Sequence, residues 1–597
     1  MPFVAHGARI TMYKYSYCIV FLPLHFIYLQ LCRILDPNMS IQNRRQRSIF
    51  DESEVDSEIE NALNKNASRT QKKRKLQRRI VSSPKSSDSD SPLQATFKDI
   101  VWMHKNLKPK IHKFNPRNSG ITTQINRRAT TLDYFQLFFS EKLVAFVVKR
   151  TNEYRTHKMK NFMCSFVKPH EQATTLNEMY CFLAIRLLMT RVKKLHYNEY
   201  WSKDKFLHTA IFGRIMSRDR YVFLLRILHF SEITTASSDR LANIREFYNM
   251  LRLSFKNTFR PFGNLCIDES LLLYKGRLSF KQYIPSKRNR YGIKSFVLCD
   301  CKTGYVLNFI VYAGSESAIK TITEKSLGKA GEIVVTLLEP YLKKKHTLFV
   351  DNWYTSPVLF SYLHDNETNA CGTVKRRRKD MPKMTEKLNA GEMCFRSSSN
   401  MLALKWKDKR DVYMLSTCHT ADFINTKKIN YQTQQVIQKP SCIVDYTVNM
   451  GAVDNRDKVI TNVESIRKSV KWYKKYFFHL LDVSIWNAFC LFKMKKNEKY
   501  SMREFHLRLL KEIIKKYKKL DQNSSNRNNS TADHPLRLTE PHFPSYCKTV
   551  KTKKTLRNCV VCAKNDKRRR SRYQCENCDA GLCVVPCFKI YHTQINY

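Results

Sequence analysis

Residues 266–300 run CIDESLLLYKGRLSFKQYIPSKRNRYGIKSFVLCD. The lead Leu265-Cys266-Ile267 and the later Leu271-Leu272-Leu273 have the apolar content of a mostly buried strand, and the carboxylate pair Asp268-Glu269 is set inside it. An ionised carboxylate is costly there unless it is paired or holds a cation. Behind it, Lys275, Arg277, Lys281, Lys287, Arg288, Arg290 and Lys294 are interleaved with Tyr274, Phe280, Tyr283 and Tyr291. An acid ringed by cations and aromatics points to a metal ion beside a phosphate backbone. A basic, solvated hairpin with one salt-bridged Asp fits the same spacing.

Outward from this stretch the chain alternates strand and helix. Residues 294–299 and 305–314 read as strands split by the turn Lys302-Thr303-Gly304. Residues 332–342 read as a helix that Pro340 kinks, 347–350 as a short strand ending in Asp351-Asn352, and 356–363 as a helix with Pro357 in its first turn. Residues 370–375 supply a further strand. The order β-β-β-α-β-α-β is that of an RNase H-like α/β core, a mixed sheet flanked by helices. Residues 376–448 loosen into charged loops, a strand pair at 402–406 and 411–417, and polar linkers, as an insertion would. Helical patterns resume over 471–495 and 502–520, the second amphipathic through Phe505, Leu509 and Ile513.

Neighbouring parallel strands can hold carboxylates side by side at their ends. Asp268 on the first strand and Asp351 at the end of the fourth fit that arrangement; Asp351-Asn352 also fits a simple Asx turn. In Met450-Gly451-Ala452-Val453-Asp454-Asn455-Arg456-Asp457, the acids Asp454 and Asp457 stand at i and i+3 and share a helix face, or else merely cap a helix. A site of this kind suits Mg²⁺ or Mn²⁺, hard ions that take oxygen ligands and serve in-line phosphoryl displacement as a pair.

The segments D-E-S, K-G-R, K-Q-Y-x-P-x-K and G-I-K-S-F-V-L-C-D-x-x-T-G-Y, with later blocks in the same order, resemble piggyBac-type transposases from about Trp102 to the C-terminus. The resemblance implies a metal-binding triad of Asp268, Asp351 and Asp454 with Asp457 as an accessory acid, and cut-and-paste transposition. In that chemistry water nicks the transposon end, the freed 3′-OH forms a hairpin on the opposite strand, and the reopened ends join a TTAA target. It also implies that residues 101–262, whose runs at 132–154, 175–190 and 214–230 are helical in pattern, form a helical DNA-binding and dimerisation domain, with Lys193, Lys194, Arg218 and Arg220 available to phosphates. The other expected divisions are a first core segment at 263–375, the insertion at 376–448, a second core segment with return helices at 449–520, a linker at 521–540 and a Cys-rich domain at 541–597. A transposase-derived DNA-binding or chromatin protein without transposition activity is the reading from another class; a repair nuclease shares the ions but not the ordered blocks. All four acids are present, which favours the enzyme.

Cys559, Cys562, Cys575, Cys578, Cys583, Cys587 and His592 place seven soft or borderline ligands in the tail. Paired C-x2-C knuckles at this separation mark zinc, and seven ligands exceed one tetrahedral site, so two Zn²⁺ ions in a cross-brace are expected. His542 is the candidate eighth ligand and Cys547 the runner-up. The loop Lys567, Arg568, Arg569, Arg570 with Arg572 suits DNA phosphates, as do Lys275, Arg277, Lys281, Lys287 and Lys294 in the core. A zinc-stabilised binder of histone tails or other protein is the competing use of the tail; the resemblance implies recognition of terminal inverted repeats.

Lys plus Arg number 106 against 51 acids, a formal net charge of +55 over 597 residues. That excess predicts a polyanion partner; the resemblance implies double-stranded DNA, and a nuclear location is expected with it. No membrane association is expected. Residues 15–35 are apolar but broken by Pro23, His25, Gln30 and Arg33, and residues 1–38 are expected to be a non-native upstream extension. Residues 39–100 lack the apolar content to fold and carry a basic cluster, Lys72-Lys73-Arg74-Lys75, suited to nuclear import. A homodimer is expected, because two element ends call for two paired active sites; the aromatic stretches around Phe135–Phe139 and Trp472–Trp486 are its candidate surface.

Overall fold

The computed structural model describes residues 100–594 except 161–168, 234–237, 286, 288, 315–318, 320–326, 430–433, 497–499, 519–537, 539–541 and 548–555. The expectations for the N-terminal extension, the disordered segment with its basic cluster, Arg288 and most of the linker lie outside the described residues.

A nine-stranded mixed sheet organises the chain. Its strands are β1 (Asn264–Leu273), β2 (Gln282–Tyr283), β3 (Tyr291–Asp300), β4 (Val306–Val311), β5 (Thr347–Val350), β6 (Asn369–Thr373), β7 (Met393–Ser397), β8 (Leu402–Lys407) and β9 (Asp411–Ser416). β1 pairs antiparallel with β3 and parallel with β5, and β5 pairs parallel with β6. β4 continues the sheet antiparallel beyond β3. These five strands are the RNase H-like arrangement. The strands of the insertion are not a separate layer: β9 pairs antiparallel with β6 and carries β8 and β7 with it. A second hairpin, β10 (Phe423–Ile429) with β11 (Val436–Pro440), stands outside this sheet.

Helices cover the sheet and build the region before it: α1 (Thr131–Gln136), α2 (Glu141–Lys160), α3 (Leu176–Arg191), α4 (Ala210–Ile215), α5 (Arg218–Ile227) and α6 (Arg245–Thr258). The run at 132–154 divides into α1 and α2 because Ser140 accepts the Leu143 N–H and starts a new helix. Ser217 likewise starts α5 by accepting from Arg220 N, which splits the run at 214–230. Within the core follow α7 (Gly328–Leu338), α8 (Pro357–Asp365), α9 (Ser441–Asn449), α10 (Ala452–Val463), α11 (Trp472–Lys496) and α12 (Met502–Tyr517). Pro340 does not kink α7; it opens the 3₁₀ turn that follows, where its missing N–H costs nothing. α9 occupies some of the stretch expected to be a polar linker.

α11 is the central packing element. Its Asn487 accepts from Val306 N at 2.8 Å and donates to Val306 O at 3.0 Å, satisfying some of the β4 edge with side-chain amide. Its length and composition would let it cross a membrane, but 83 % of its most apolar window is buried in the fold. Phe477 stacks on Phe230 at 4.4 Å, and Phe135, Phe138 and Phe139 are sealed in the same core. The aromatics expected to supply a dimer surface are therefore spent on intramolecular packing.

Candidate functional site

The last parallel pair between β1 and β5 is Ile267 with Val350, so Asp268, in the middle of β1, and Asp351, just past the end of β5, follow it at the same level. Asp351 also closes an Asx turn: its Oδ1 accepts from Trp353 N at 2.9 Å, and its carbonyl accepts from the Thr355 hydroxyl at 2.9 Å. Gly372 on β6 makes room for that turn, since a Cβ there would lie 2.4 Å from Thr355 Oγ1 and 2.5 Å from Val350 O. The turn and the acid site are thus one structure, not alternatives.

Carboxylate oxygens of Asp268, Glu269 and Asp351 lie within 4.8 Å of one another. Burial pushes Asp268 up to about 7, with the charges of Glu269 and Asp454 adding to it against Lys287. Burial, then Glu269, raises Asp351 above its ordinary range as well. Glu269 belongs to this cluster although only Asp268 of the pair was expected there. The β1–β3 register puts it there: Glu269 faces Phe296, and Lys294 two residues away lies on the same face of β3.

Lys294 accordingly turns inward. Its Nζ is 2.9 Å from Glu269 Oε1 and sits over the rings of Phe296 and Trp353 at 4.6 and 4.9 Å. Lys287 Nζ reaches Glu269 O at 3.1 Å and Asp454 Oδ1 at 3.3 Å. Burial disfavours its charge, but Asp268 and Asp454 outweigh that and raise its pKa. Both lysines counter the acids rather than line an outer surface. Lys281 donates to the carbonyls of Gly276 and Lys275, whereas Lys275 and Arg277 are exposed. Arg220 is also spoken for: it forks to Glu178 and to the carbonyls of His170, Gln172 and Ala173, so it braces α3 and α5 instead of meeting phosphate.

α10 brings the remaining two acids, and they differ. Asp454 lies in its first turn, exposed, on the side of Lys287. Asp457 is locked: Ser270 Oγ donates to Oδ2 at 2.9 Å, and Arg456 Nε donates to Oδ1 at 3.0 Å. Arg456 is only 1 % exposed, so Asp457 neutralises a buried guanidinium while tying α10 to β1. Asp457→Ala should cost stability near the low end of the roughly 3–5 kcal/mol seen when a buried pair loses one member, because Asp457 itself is partly solvated. Asp457→Asn, which keeps an acceptor, should cost less. Thermal melts of the full chain measure both, and an unchanged melt for the alanine variant would remove this role.

The tail resolves its ligands into two interleaved tetrads, Cys559, Cys562, Cys583, Cys587 and His542, Cys575, Cys578, His592. Cys562 Sγ lies 3.9 Å from Cys583 Sγ and 3.6 Å from Cys587 Sγ. Bonds of about 2.3 Å to one tetrahedral zinc would set sulfurs about 3.8 Å apart. In the other tetrad His542 Nδ1 is 3.3 Å from Cys575 Sγ, and His592 Nε2 is 3.6 Å from Cys578 Sγ. His592 Nδ1 is turned to the Phe588 carbonyl at 2.8 Å, which leaves Nε2 to a metal. Cys547 contacts Ser571 O instead and belongs to neither tetrad. Lys567, Arg568, Arg569, Arg570 and Arg572 are all exposed.

A family model described as Transposase IS4 matches residues 130–489, and one described as DDE_Tnp_1-like zinc finger matches 540–593. The chain belongs to the piggyBac-type transposase family. PiggyBac transposable element-derived protein 2 of Homo sapiens is 23% identical over 417 residues, covering 66% of this chain and 67% of that relative. PiggyBac transposable element-derived protein 3 of Homo sapiens is 22% identical over 489 residues, 78% of this chain and 76% of that one. The cryo-EM structure of a piggyBac transposase synaptic complex with hairpin DNA superposes with a TM-score of 0.60 at 23% identity, over 78% of this chain and 97% of that chain. Family membership makes this a transposase-type enzyme fold whose DDE domain implies a divalent metal, and whose zinc-finger domain carries the Cys/His clusters.

Proposed function

We propose that this protein is an active piggyBac-like DNA transposase, cutting element ends and joining them at TTAA by metal-dependent phosphoryl transfer. The observation that carries the proposal is the convergence of Asp268 and Glu269, in the middle of β1, with Asp351, just past the end of the parallel strand β5, and with Asp454 carried by α10 beside Lys287. An all-oxygen, acidic donor set fits Mg²⁺ or Mn²⁺ and not a soft ion. Asp268, Asp351 and Asp454 would hold it. Bound there, a pair of such ions would lower the pKa of the attacking water or 3′-OH and neutralise the leaving oxygen. The chain's own contribution is to hold the carboxylates in place: the Trp353 N–H orients Asp351, Lys287 pairs with Asp454 and opposes the charge of Asp268, and the Ser270 hydroxyl on Asp457 ties α10 to β1.

The tail is proposed to hold two Zn²⁺ and to read the terminal inverted repeats, with Lys567, Arg568, Arg569, Arg570 and Arg572 on phosphates. Lys275 and Arg277 serve the same purpose beside the acid site. The assembly is proposed to be a homodimer acting in the nucleus. Incubation of the protein with end-bearing duplex and either Mg²⁺ or EDTA tests the reading; strand scission that is indifferent to EDTA, or none on any duplex with Mg²⁺, would reject it.

Phosphate contacts should make binding fall with salt by about 0.9 log units per tenfold rise for each phosphate neutralised. Truncation after Thr531 should keep this salt-sensitive binding and lose the preference for element ends. Titrations of both proteins on end and random duplexes across a salt series check it, and equal preference would place end recognition before residue 263.

A further inference from the structure

Beyond the acid site, a second group of reactive side chains gathers where the insertion meets the core. Cys418 and His419 follow β9, Cys371 lies on β6, and Cys442 and Asp445 lie on α9. His419 Nε2 is 3.0 Å from Asp445 Oδ2. Its Nδ1 is 2.7 Å from Ser416 Oγ and 3.5 Å from Cys418 Sγ. Cys418 Sγ also lies 3.6 Å from Ser416 Oγ, and Cys371 Sγ is turned to the Cys442 carbonyl at 3.7 Å. A base oriented by a carboxylate on one nitrogen, with a buried hydroxyl and a thiol both within reach of the other, is an arrangement that can activate a sulfur nucleophile directly or through the hydroxyl. Nothing in the phosphoryl-transfer chemistry uses it.

Solvent access selects the nucleophile. Ser416, Cys371 and Cys442 are each 0% exposed, while Cys418 is partly open. We propose that Cys418, with His419 as its proton acceptor and Asp445 as the orienting acid, is a reactive thiol that peroxides and small electrophiles modify. Burial works against a charge on His419, but the Asp445 carboxylate, helped by Cys371 and Cys418, outweighs it and raises the ring's proton affinity well above its ordinary range, so the ring keeps the proton it takes from the thiol. Burial pushes the Cys371 and Cys442 thiols up, so neither competes as a thiolate. With a peroxide, the Cys418 thiolate attacks one oxygen: an S–O bond forms as the O–O bond breaks, and sulfur gives up two electrons. The departing oxygen takes the proton of the His419 imidazolium and leaves as water or alcohol, with Cys418 as sulfenic acid.

The group adjoins the acid site. Tyr446, next to Asp445 on α9, has its hydroxyl 3.4 Å from Thr373 Oγ1 and feels the charges of Asp351, Asp268 and Cys371 together. Cys418 is thus linked through His419 and Asp445 to the helix that carries Tyr446.

The test is thiol mapping on the full-length protein. Iodoacetamide at pH 6.5, followed by peptide mass analysis, should label Cys418 about tenfold faster than the half-buried Cys394. Cys394 is the internal standard because burial, with Glu386 beside it, pushes its thiol up to about 11. Hydrogen peroxide with dimedone should tag Cys418 as sulfenic acid. Asp445→Asn, at a solvent-exposed carboxylate, and His419→Asn should each remove most of that rate advantage. Equal labelling of Cys418 and Cys394, or rates untouched in the folded Asp445→Asn protein, would overturn the proposal. So would a third bound zinc that shields Cys418, because the thiol would then be a ligand.

Discussion

Asp268→Asn and Asp351→Asn should each lower DNA scission roughly a thousandfold, about 4 kcal/mol of transition-state stabilisation, while duplex binding persists. The substitution is isosteric, so the hydrogen bond from Trp353 N to position 351 survives and the turn stays formed. Stability provides an internal control with a definite sign. Asp268 is raised in the folded protein to about 7, chiefly by burial, from an ordinary value of 3.8. Between those values the folded state holds a proton the unfolded chain has released, so without metal stability falls as pH rises through that window. Asn at this position removes that loss, and metal-free Asp268→Asn should melt no lower than the parent at pH 8. A variant that loses scission and also melts well below the parent would point to a structural role instead. The same proton competes with a cation, so Mg²⁺ affinity should weaken as pH drops below about 7. Asp454→Asn should abolish scission too, and it leaves Lys287 with the Glu269 carbonyl and the charge of Asp268; full scission by any of the three would remove that residue from the site.

The five core strands and their order were legible because each has an apolar run of strand length bounded by a turn or charge, and because Asp268 inside the first run and Asp351 at the end of the fourth fall level when the two strands pair in parallel. Register beyond that was not legible. Glu269 and Lys294 meet only when β1 and β3 pair at Glu269–Phe296, across a connection from 274 to 290 too long for a turn type to set the pairing. Read alone, Lys294 looked like one more cation in a basic stretch. Arg220 misled for the same reason, since a charge cannot announce that carbonyls from a distant turn will enclose it. The aromatics at 135–139 fit a dimer face or a core equally well by periodicity, and only α11, more than 300 residues later, shows which. The tail was the easiest to read, because metal ligation fixes residue type and spacing directly; what spacing left open was the division of eight ligands between two sites.

Removing zinc should unfold the tail entirely and leave the core standing. Apart from its ligands, the tail's core consists of Val561, Ala580, Leu582, Phe588 and Tyr591 with a few partly buried neighbours. That is too little apolar surface to offset the chain entropy of some fifty residues. Each structural zinc contributes on the order of 10–16 kcal/mol of apparent binding free energy, so the metal-free tail has no folded state to fall back on. The tetrads also alternate along the chain: Cys559 and Cys562 serve one, Cys575 and Cys578 the other, Cys583 and Cys587 the first again, and His592 the second. Losing one ion should therefore loosen the ligands of its neighbour, and Cys583→Ser should release clearly more than one zinc per chain. Elemental analysis of the full chain should find two zincs. Limited proteolysis after chelation should then cut within 556–594 while the fragment from 130 to 517 persists, because the two hydrophobic clusters are separate. One zinc per parent chain would sink the cross-brace, and a tail that stays resistant to protease after both ions are gone would sink the claim that metal folds it.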